Sequence, residues 1–286
     1  MTKRFAMVLA VLACACSPQT GTLAVSASGE GAAVDGYPFE DVGFVDGWTM
    51  QFDVVLASVE SFSLRGADGL EAGGVEPVLI DLHLGDAPLY DLAAVDARRW
   101  EDVRYVVAPA TAASVDVGPV DPALRAQMIE EGWSLYVAGT AQKGETTRTF
   151  AWGFALDVLN SNCVSGDGTA GVVVPSNGTA NGLVTLHLDH LFFDSLALDE
   201  AEMRFDAIAA MAEPDGSIPL ANLANQRLAS MQTADGSPLV DDTGAPIVYD
   251  PGSAALPEPT LLAMMQAAAV TIGHWQGEGH CDYTEQ

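Results

Sequence analysis

Hydrophobic and polar residues alternate in short runs over most of the chain, from about residue 46 to about residue 195. The runs are roughly four to eight residues long, rich in β-branched and aromatic residues, and bounded by Gly, Asp and Pro, as is typical of strands. They include WTMQFDVVLASVESFSL, VEPVLIDLHL, EDVRYVVAPA, WSLYVAGTAQ, TRTFAWGFALDVL and LVTLHLDHLFF. Two of them, joined by QKGET, predict a hairpin. The pattern predicts a mainly β fold, an antiparallel β-sandwich, in one domain over residues 46–286.

A helical spacing replaces this alternation in three places. In DPALRAQMIEEG, Asp121 is a predicted helix cap, Pro122 suits the first turn, and Gly132 is a stop. Farther along, DEAEMRFDAIAAMA and PTLLAMMQAAAVTIGHW carry apolar residues at intervals of three and four. These segments predict a helical C-terminal third packed against the sandwich.

The amino terminus, MTKRFAMVLAVLACACSPQTG, has two basic residues and then a short apolar run that ends in small residues and cysteine. This pattern is typical of an export signal and is too short for a permanent membrane span. The stretch LACAC resembles the lipobox of bacterial lipoproteins, in which a cysteine is acylated, for instance with palmitate. The resemblance implies a lipoprotein signal peptide over residues 1–15 and lipid attachment at Cys16. Two alternatives are attachment at Cys14 and an ordinary cleaved signal peptide.

The segment that follows is rich in Gly, Ala, Ser and acidic residues and shows no sustained period. We therefore expect a tether over residues 16–45. With the lipid anchor, it implies a protein of the cell envelope, attached to the inner or outer membrane and facing the periplasm or the exterior.

The charge is strongly negative, at −28 for the whole chain. Without the signal peptide there are 39 acidic and nine basic residues, a net charge of about −30. Such a surface repels phosphate, so nucleic acid is excluded as a partner and the membrane contact must come from the lipid anchor. A protein partner is not identified by the sequence.

Two cysteines remain after the anchor, Cys163 and Cys281. In an exported chain a disulfide is the expected state of such a pair. Thiolate ligation of copper is the alternative.

Four of the five histidines lie in two short segments, TLHLDHLFFDSL and GHWQGEGH, each of which contains carboxylates. Imidazole and carboxylate groups in exported proteins suit Zn(II) or Cu(II). We predict one shared metal site, with Asp189 as a ligand or as a partner of a ligand. The predicted metal residues are His187, Asp189, His190, His274 and His280. The fifth histidine, His83, alternates with leucines and is predicted to be a half-exposed strand residue.

Three classes of function fit these observations. The first is a non-enzymatic, lipid-anchored protein that binds a transition metal. The second is a structural or interaction lipoprotein without a metal, in which the histidines decorate an acidic strand. The third is an envelope hydrolase, which the sequence supports least because it contains no GxSxG motif and no glycine-rich phosphate loop after a strand.

The segment RFDAIAAMAEPDGSIPLANL resembles a calcium-binding loop between two helices. Aligning Gly216 with the invariant glycine of such loops puts Met211 at the first ligand position and Asn222 at the last. Calcium loops use Asp and a bidentate Glu there, and only Glu213 and Asp215 suit the pattern. We expect a loop that keeps the shape and lacks the site.

At FVDGWTMQFDVVLASVESFSL and LYDLAAVDARRWEDVRYVVAPA, the chain resembles uncharacterised secreted bacterial lipoproteins with a prealbumin-like β-sandwich. The resemblance extends through TLHLDHLFFDSL to GHWQGEGHC, most of the mature chain. It implies a fold and a location, and it carries no assigned chemistry.

Overall fold

The computed structural model describes residues 19–74, 76–197, 201–241 and 243–286, and it shows a mainly β protein. The strands are β1 (Thr20–Ser28), β2 (Thr49–Arg65), β3 (Glu71–Gly74), β4 (Val78–Asp81), β5 (Ala87–Asp96), β6 (Arg99–Trp100), β7 (Asp102–Val107), β8 (Val115–Val117), β9 (Leu135–Lys143), β10 (Thr146–Phe154), β11 (Val158–Val164), β12 (Val172–Val173), β13 (Thr179–Leu186), β14 (Ser217–Ile218), β15 (Gly273–Trp275) and β16 (Gly279–Glu285). The α-helices are α1 (Glu30–Asp35), α2 (Pro122–Glu131), α3 (Asp206–Ala209) and α4 (Leu261–Ala269), and 3₁₀ helices span Leu82–Leu84, Leu188–Phe192 and Leu220–Asn225.

Most of the strands belong to one large sheet. Its main path runs β14, β10, β9, β2, β7, β11, β16, β15, β13, β1, β5, and β3, β4 and β8 extend it beside β2. The sheet is mixed, because β1 pairs with β13, β10 with β14 and β4 with β8 in parallel. The prediction that all strands pair in antiparallel fashion is therefore wrong. The prediction that the strands form a two-layer sandwich stays a prediction. Large aromatic side chains fill the core: Trp100, Tyr105, Trp152, Phe205 and Trp275.

The local predictions of the central region are confirmed. The hairpin forms between β9 and β10, with Lys143 paired to Thr146. Helix α2 begins after Asp121, whose carboxylate accepts hydrogen bonds from the backbone N–H groups of Ala123 and Leu124. It ends at Gly132, which has a left-handed backbone (φ 68°) that glycine adopts without strain.

The tether expected over residues 16–45 differs from the structure over most of its described part. Thr20–Ser28 is strand β1, which alternates between buried and half-buried residues and lies between β13 and β5. Helix α1 follows it directly. The alternation TGTLAVSAS is a strand pattern, and the high content of small residues concealed it in the sequence. Residues 1–18, including Cys14 and Cys16, lie outside the described residues.

The C-terminal third contains less helix than the periodicity predicts. Helices α3 and α4 form within the two predicted segments, and both are shorter than the segments. Between them, the sequence repeats a unit of eight residues, TADGSPLV and then DDTGAPIV. The backbone N–H of Leu239 bonds to Met231 and that of Ile247 to Leu239, so the chain advances by eight residues per turn. The part of the chain between the two helices is therefore held by backbone pairing and not by helix.

The predicted disulfide is present. Cys163 of β11 and Cys281 of β16 are bonded, with an S–S distance of 2.01 Å. The bridge joins two neighbouring strands of the sheet, next to the β15–β16 hairpin that carries His274. Within the described part of the chain, no helix combines the length and the apolar content that a membrane crossing requires.

Candidate metal centre

His187 and His190 are brought together by a change of backbone conformation. Strand β13 ends at Leu186, and the 3₁₀ helix Leu188–Phe192 begins directly after His187. A 3₁₀ helix has three residues per turn, so side chains three positions apart lie above one another. The leucines of this turn are buried. The core therefore holds the turn in place, and both imidazoles point to one side.

His274 reaches the same place from β15. It is paired with Thr185 of β13 on one side and with His280 of β16 on the other. The neighbouring Gly273 is closely packed, because a Cβ there would lie 2.5 Å from Oδ1 of Asn160 and would force that side chain to shift. The strand pairing thus sets the position of the third imidazole.

Three of the predicted ligands converge. One ring nitrogen from each of His187, His190 and His274 lies within 4.8 Å of the other two. The ring centroids of His187 and His274 are 4.0 Å apart, and those of His190 and His274 are 5.1 Å apart. His187 and His190 are buried and His274 is half-buried. Metal–nitrogen bonds of about 2.0–2.1 Å place the ligand atoms of a tetrahedral ion roughly 3.3–3.5 Å apart, so the three side chains would have to move closer together to share an ion.

The hydrogen bonds of His190 define which nitrogen is free. The Thr271 hydroxyl donates to the carbonyl of Ala268 at 2.8 Å, so it accepts from Nδ1–H of His190, also at 2.8 Å. This assignment of the proton follows from the hydrogen-bond network. It leaves Nε2 of His190 with its lone pair available to a metal.

Burial keeps two of the rings neutral. Burial, followed by the neighbouring His274 and His187, lowers the pKa of His190 to about 3. Burial and then His187 lower the pKa of His274 to about 4. Nδ1 of His274 is also buried without a hydrogen-bond partner among the described residues. Neutral imidazole is the metal-binding form, so protons compete weakly at these two positions.

Carboxylates surround His187. Oε1 of Glu30 lies 3.5 Å from Nε2 of His187, and Oδ1 of Asp189 lies 4.0 Å from Nδ1 on the opposite side of the ring. Glu30, His187 and Glu278 also offer a second set of ligand atoms within 4.8 Å of one another. Burial raises the pKa of both Glu30 and Asp189, and His187 opposes the rise. Asp189 lies beside His187 because the strand ends before it, at a distance too long for a hydrogen bond, and its role as a ligand or as a partner of a ligand stays a prediction.

Three residues differ from the sequence expectations. His280 is exposed and lies outside the group of converging nitrogens, although it is paired with His274 across the hairpin. Glu30 was missed because it lies within the expected tether. The one sequence clue was the alternating pattern of β1, which ends just before it. His83 lies in a 3₁₀ helix, where Nδ1 contacts the Ala33 carbonyl at 2.9 Å.

The calcium-like loop satisfies its own polar groups. Asn222 donates from its side-chain amide to the carbonyl of Met211 and to Oε1 of Glu213. Oδ1 of Asp215 accepts from the backbone N–H and the hydroxyl of Ser217. The amide of Asn222 therefore bridges the first and third positions of the loop, where a calcium loop would place the ion.

Comparison with known proteins finds no matching family model, no matching curated protein and no matching solved structure. The functional argument consequently depends on the geometry and chemistry of the site.

Proposed function

We propose that this protein binds one divalent transition-metal ion, Zn(II) or Cu(II), through His187, His190 and His274, and that it does so without transforming a substrate. The supporting observation is the approach of the three ligand nitrogens to within 4.8 Å of one another. Imidazole is a preferred ligand of both ions. The net charge of −28 favours the approach of a cation and disfavours anionic partners.

Calorimetric titration of protein made without a histidine tag and stripped with a chelator tests the metal site. We expect one ion per chain. The affinity should be about 100-fold weaker in His187→Ala and in His274→Ala, because each variant lacks one of the three side chains that bind the ion directly. His83→Ala is the matched control and should bind as the wild type does. His280→Ala should also bind within a few-fold of the wild type.

The same titration distinguishes the second function, a structural or interaction lipoprotein without a metal. His190 bonds to Thr271, and His187 contacts the Gly277 carbonyl at 3.3 Å, so the two rings also have partners within the protein. If the wild type and both alanine variants show equally weak binding, the histidines serve packing and the metal proposal is wrong.

We further propose that the protein is anchored in the cell envelope by acylation of Cys16. The support is the basic start, the apolar run and the small residues before the cysteine. Cells grown with a fatty-acid analogue should label the wild type and fail to label Cys16→Ser. Label that persists in Cys16→Ser but is lost in Cys14→Ser would move the site to Cys14, and an unlabelled wild type would exclude the anchor.

A further inference from the structure

The turn between β15 and β16 is bound to strand β13. Its residues Gln276 and Gly277 both have left-handed backbones, with φ 58° and 72°. The backbone N–H of Gln276 donates to the carbonyl of Leu183 at 2.8 Å. The backbone N–H of Gly277 donates to the hydroxyl of Thr185 at 3.0 Å, and Thr185 is fully buried. The turn is therefore fixed against the end of β13, and Thr185 holds it two residues before His187.

The fixed turn places a hydrogen-bond acceptor beside His187. The carbonyl oxygen of Gly277 lies 3.3 Å from Nε2 of His187. A carbonyl oxygen can only accept a hydrogen bond, so Nε2 is the ring nitrogen that carries the proton. Oε1 of Glu30 is a second acceptor, 3.5 Å from the same nitrogen. On the other side of the ring, Oδ1 of Asp189 is 4.0 Å from Nδ1, which is too far for a hydrogen bond. The neutral ring thus has its N–H at Nε2 and its lone pair at Nδ1.

The position of this lone pair selects the nitrogen that can bind an ion. A metal at Nε2 would have to displace the proton and would break the contact with the Gly277 carbonyl. Nδ1 can bind a metal while Nε2–H keeps that contact. In metal sites, the ring N–H that does not bind the metal commonly donates to a backbone carbonyl or a carboxylate, and this bond fixes both the tautomer and the orientation of the ring.

We propose that His187 binds the ion through Nδ1 and that Thr185 positions it, by holding the Gly277 carbonyl against Nε2–H. This rests on the proposed function and assigns the nitrogen that the site uses. The Thr185 hydroxyl accepts from the N–H of Gly277, and the carbonyl of Gly277 accepts from His187. Thr185 acts on the site through the turn, so it is a positioning residue and not a ligand.

The tautomer of His187 can be measured on the full chain labelled with ¹⁵N-histidine, by long-range ¹H–¹⁵N correlation at about pH 8, where ordinary histidine rings are neutral. The signals of His187 are those that disappear in His187→Ala. In the metal-free protein we expect a proton on Nε2 and none on Nδ1. Loading with ¹¹³Cd in place of zinc should couple the metal to Nδ1 and leave Nε2–H in place.

Thr185→Val and Thr185→Ser are a matched pair of variants. Valine has nearly the volume of threonine and no hydroxyl, so the N–H of Gly277 loses its acceptor and the turn is released from β13 at this point. We expect zinc binding about 10-fold weaker in Thr185→Val, and both tautomers of His187 in its metal-free form. Serine keeps the hydroxyl, so Thr185→Ser should show the wild-type tautomer and an affinity within about threefold of the wild type.

Three results would overturn the proposal. Coupling of the metal to Nε2, or a proton on Nδ1 in the metal-free protein, would show that the ring is held the other way round, while the three-histidine site itself would stand. A wild-type tautomer in Thr185→Val would show that Thr185 does not position the ring, even if urea unfolding finds the variant less stable. A wild type that binds no metal would remove the proposed function, and the assignment of Nδ1 with it.

Discussion

The histidine cluster and the calcium-like loop of residues 211–222 both place potential ligands close together, and they differ in how those ligands are satisfied. In the loop, the oxygens of Glu213 and Asp215 already accept hydrogen bonds from protein groups. In the cluster, Nε2 of His190 is free and Nδ1 of His274 is buried without a partner among the described residues. Ligand residue types occur in both regions, but in the loop one oxygen of each acid already accepts hydrogen bonds from the protein, whereas in the cluster two ring nitrogens have no such partner among the described residues.

The pKa shifts show the same contrast. In the loop, the hydroxyl of Ser217 lowers the pKa of Asp215 by bonding to its ionised form. In the cluster, burial lowers the pKa of His190 and His274, so their charged forms are disfavoured. The loop's charge is stabilised by the protein itself, whereas the cluster keeps neutral donors for a cation.

The largest effect that we expect is the loss of folding stability of the metal-free protein as the pH falls. The folded pKa of His190 is about 3, below the roughly 6.5 of an unfolded histidine. The unfolded chain therefore binds the proton first, and stability present above about pH 6.5 is lost as the pH falls towards 3. Between about pH 7 and pH 4, we expect a loss on the order of 3 kcal/mol from this group, measured by urea unfolding of the metal-free protein.

His190→Gln isolates this contribution, because glutamine does not titrate. The variant should lose less stability than the wild type over the same pH range, by on the order of 3 kcal/mol. Glu30 and Asp189 act in the opposite direction in both proteins, since burial raises their pKa and the folded state takes up their protons more readily. Equal pH dependence in the two proteins would show that His190 does not stay neutral in the fold.

Local pattern predicted the elements of the fold better than their pairing. The alternation over 48–64 became β2, and the Asp121 cap and the Gly132 stop bound α2 as expected. The parallel pair of β1 and β13 joins segments about 160 residues apart, for example Thr22 with Thr179, and no local period contains that information. In the C-terminal third, an eight-residue backbone pairing also forms between the two segments of helical spacing, and the helices within those segments are shorter than the segments.

The candidate site was predictable only in part, because some of its residues are close in sequence and others meet only through strand pairing. The sequence spacing of His187 and His190 suited a shared site, and His274 joined them through the pairing of β15 with β13. His280 is close in sequence and opposite His274 in the hairpin, yet it lies exposed on the neighbouring strand. Glu30 comes from the far end of the chain and reaches His187 only because β1 lies beside β13.

The smallest expected effect concerns the calcium-like loop and tests whether its amide replaces an ion. Asn222→Ala removes the hydrogen bonds to Met211 and Glu213, so we expect a loss of about 1 kcal/mol in the free energy of unfolding. Zinc affinity should stay within about twofold of the wild type, because the cluster contains no residue of the loop. Urea unfolding and the zinc titration measure the two quantities on the same preparation.

Asn222→Asp keeps the shape of the side chain and replaces the donors with a carboxylate beside Glu213. It should therefore lower the free energy of unfolding by at least as much as Asn222→Ala does. If calcium raises the free energy of unfolding of the wild type by as much as it raises that of Asn222→Asp, the amide does not occupy the place of an ion. The loop then binds an ion as the histidine cluster is proposed to do, and the contrast between the two regions is wrong.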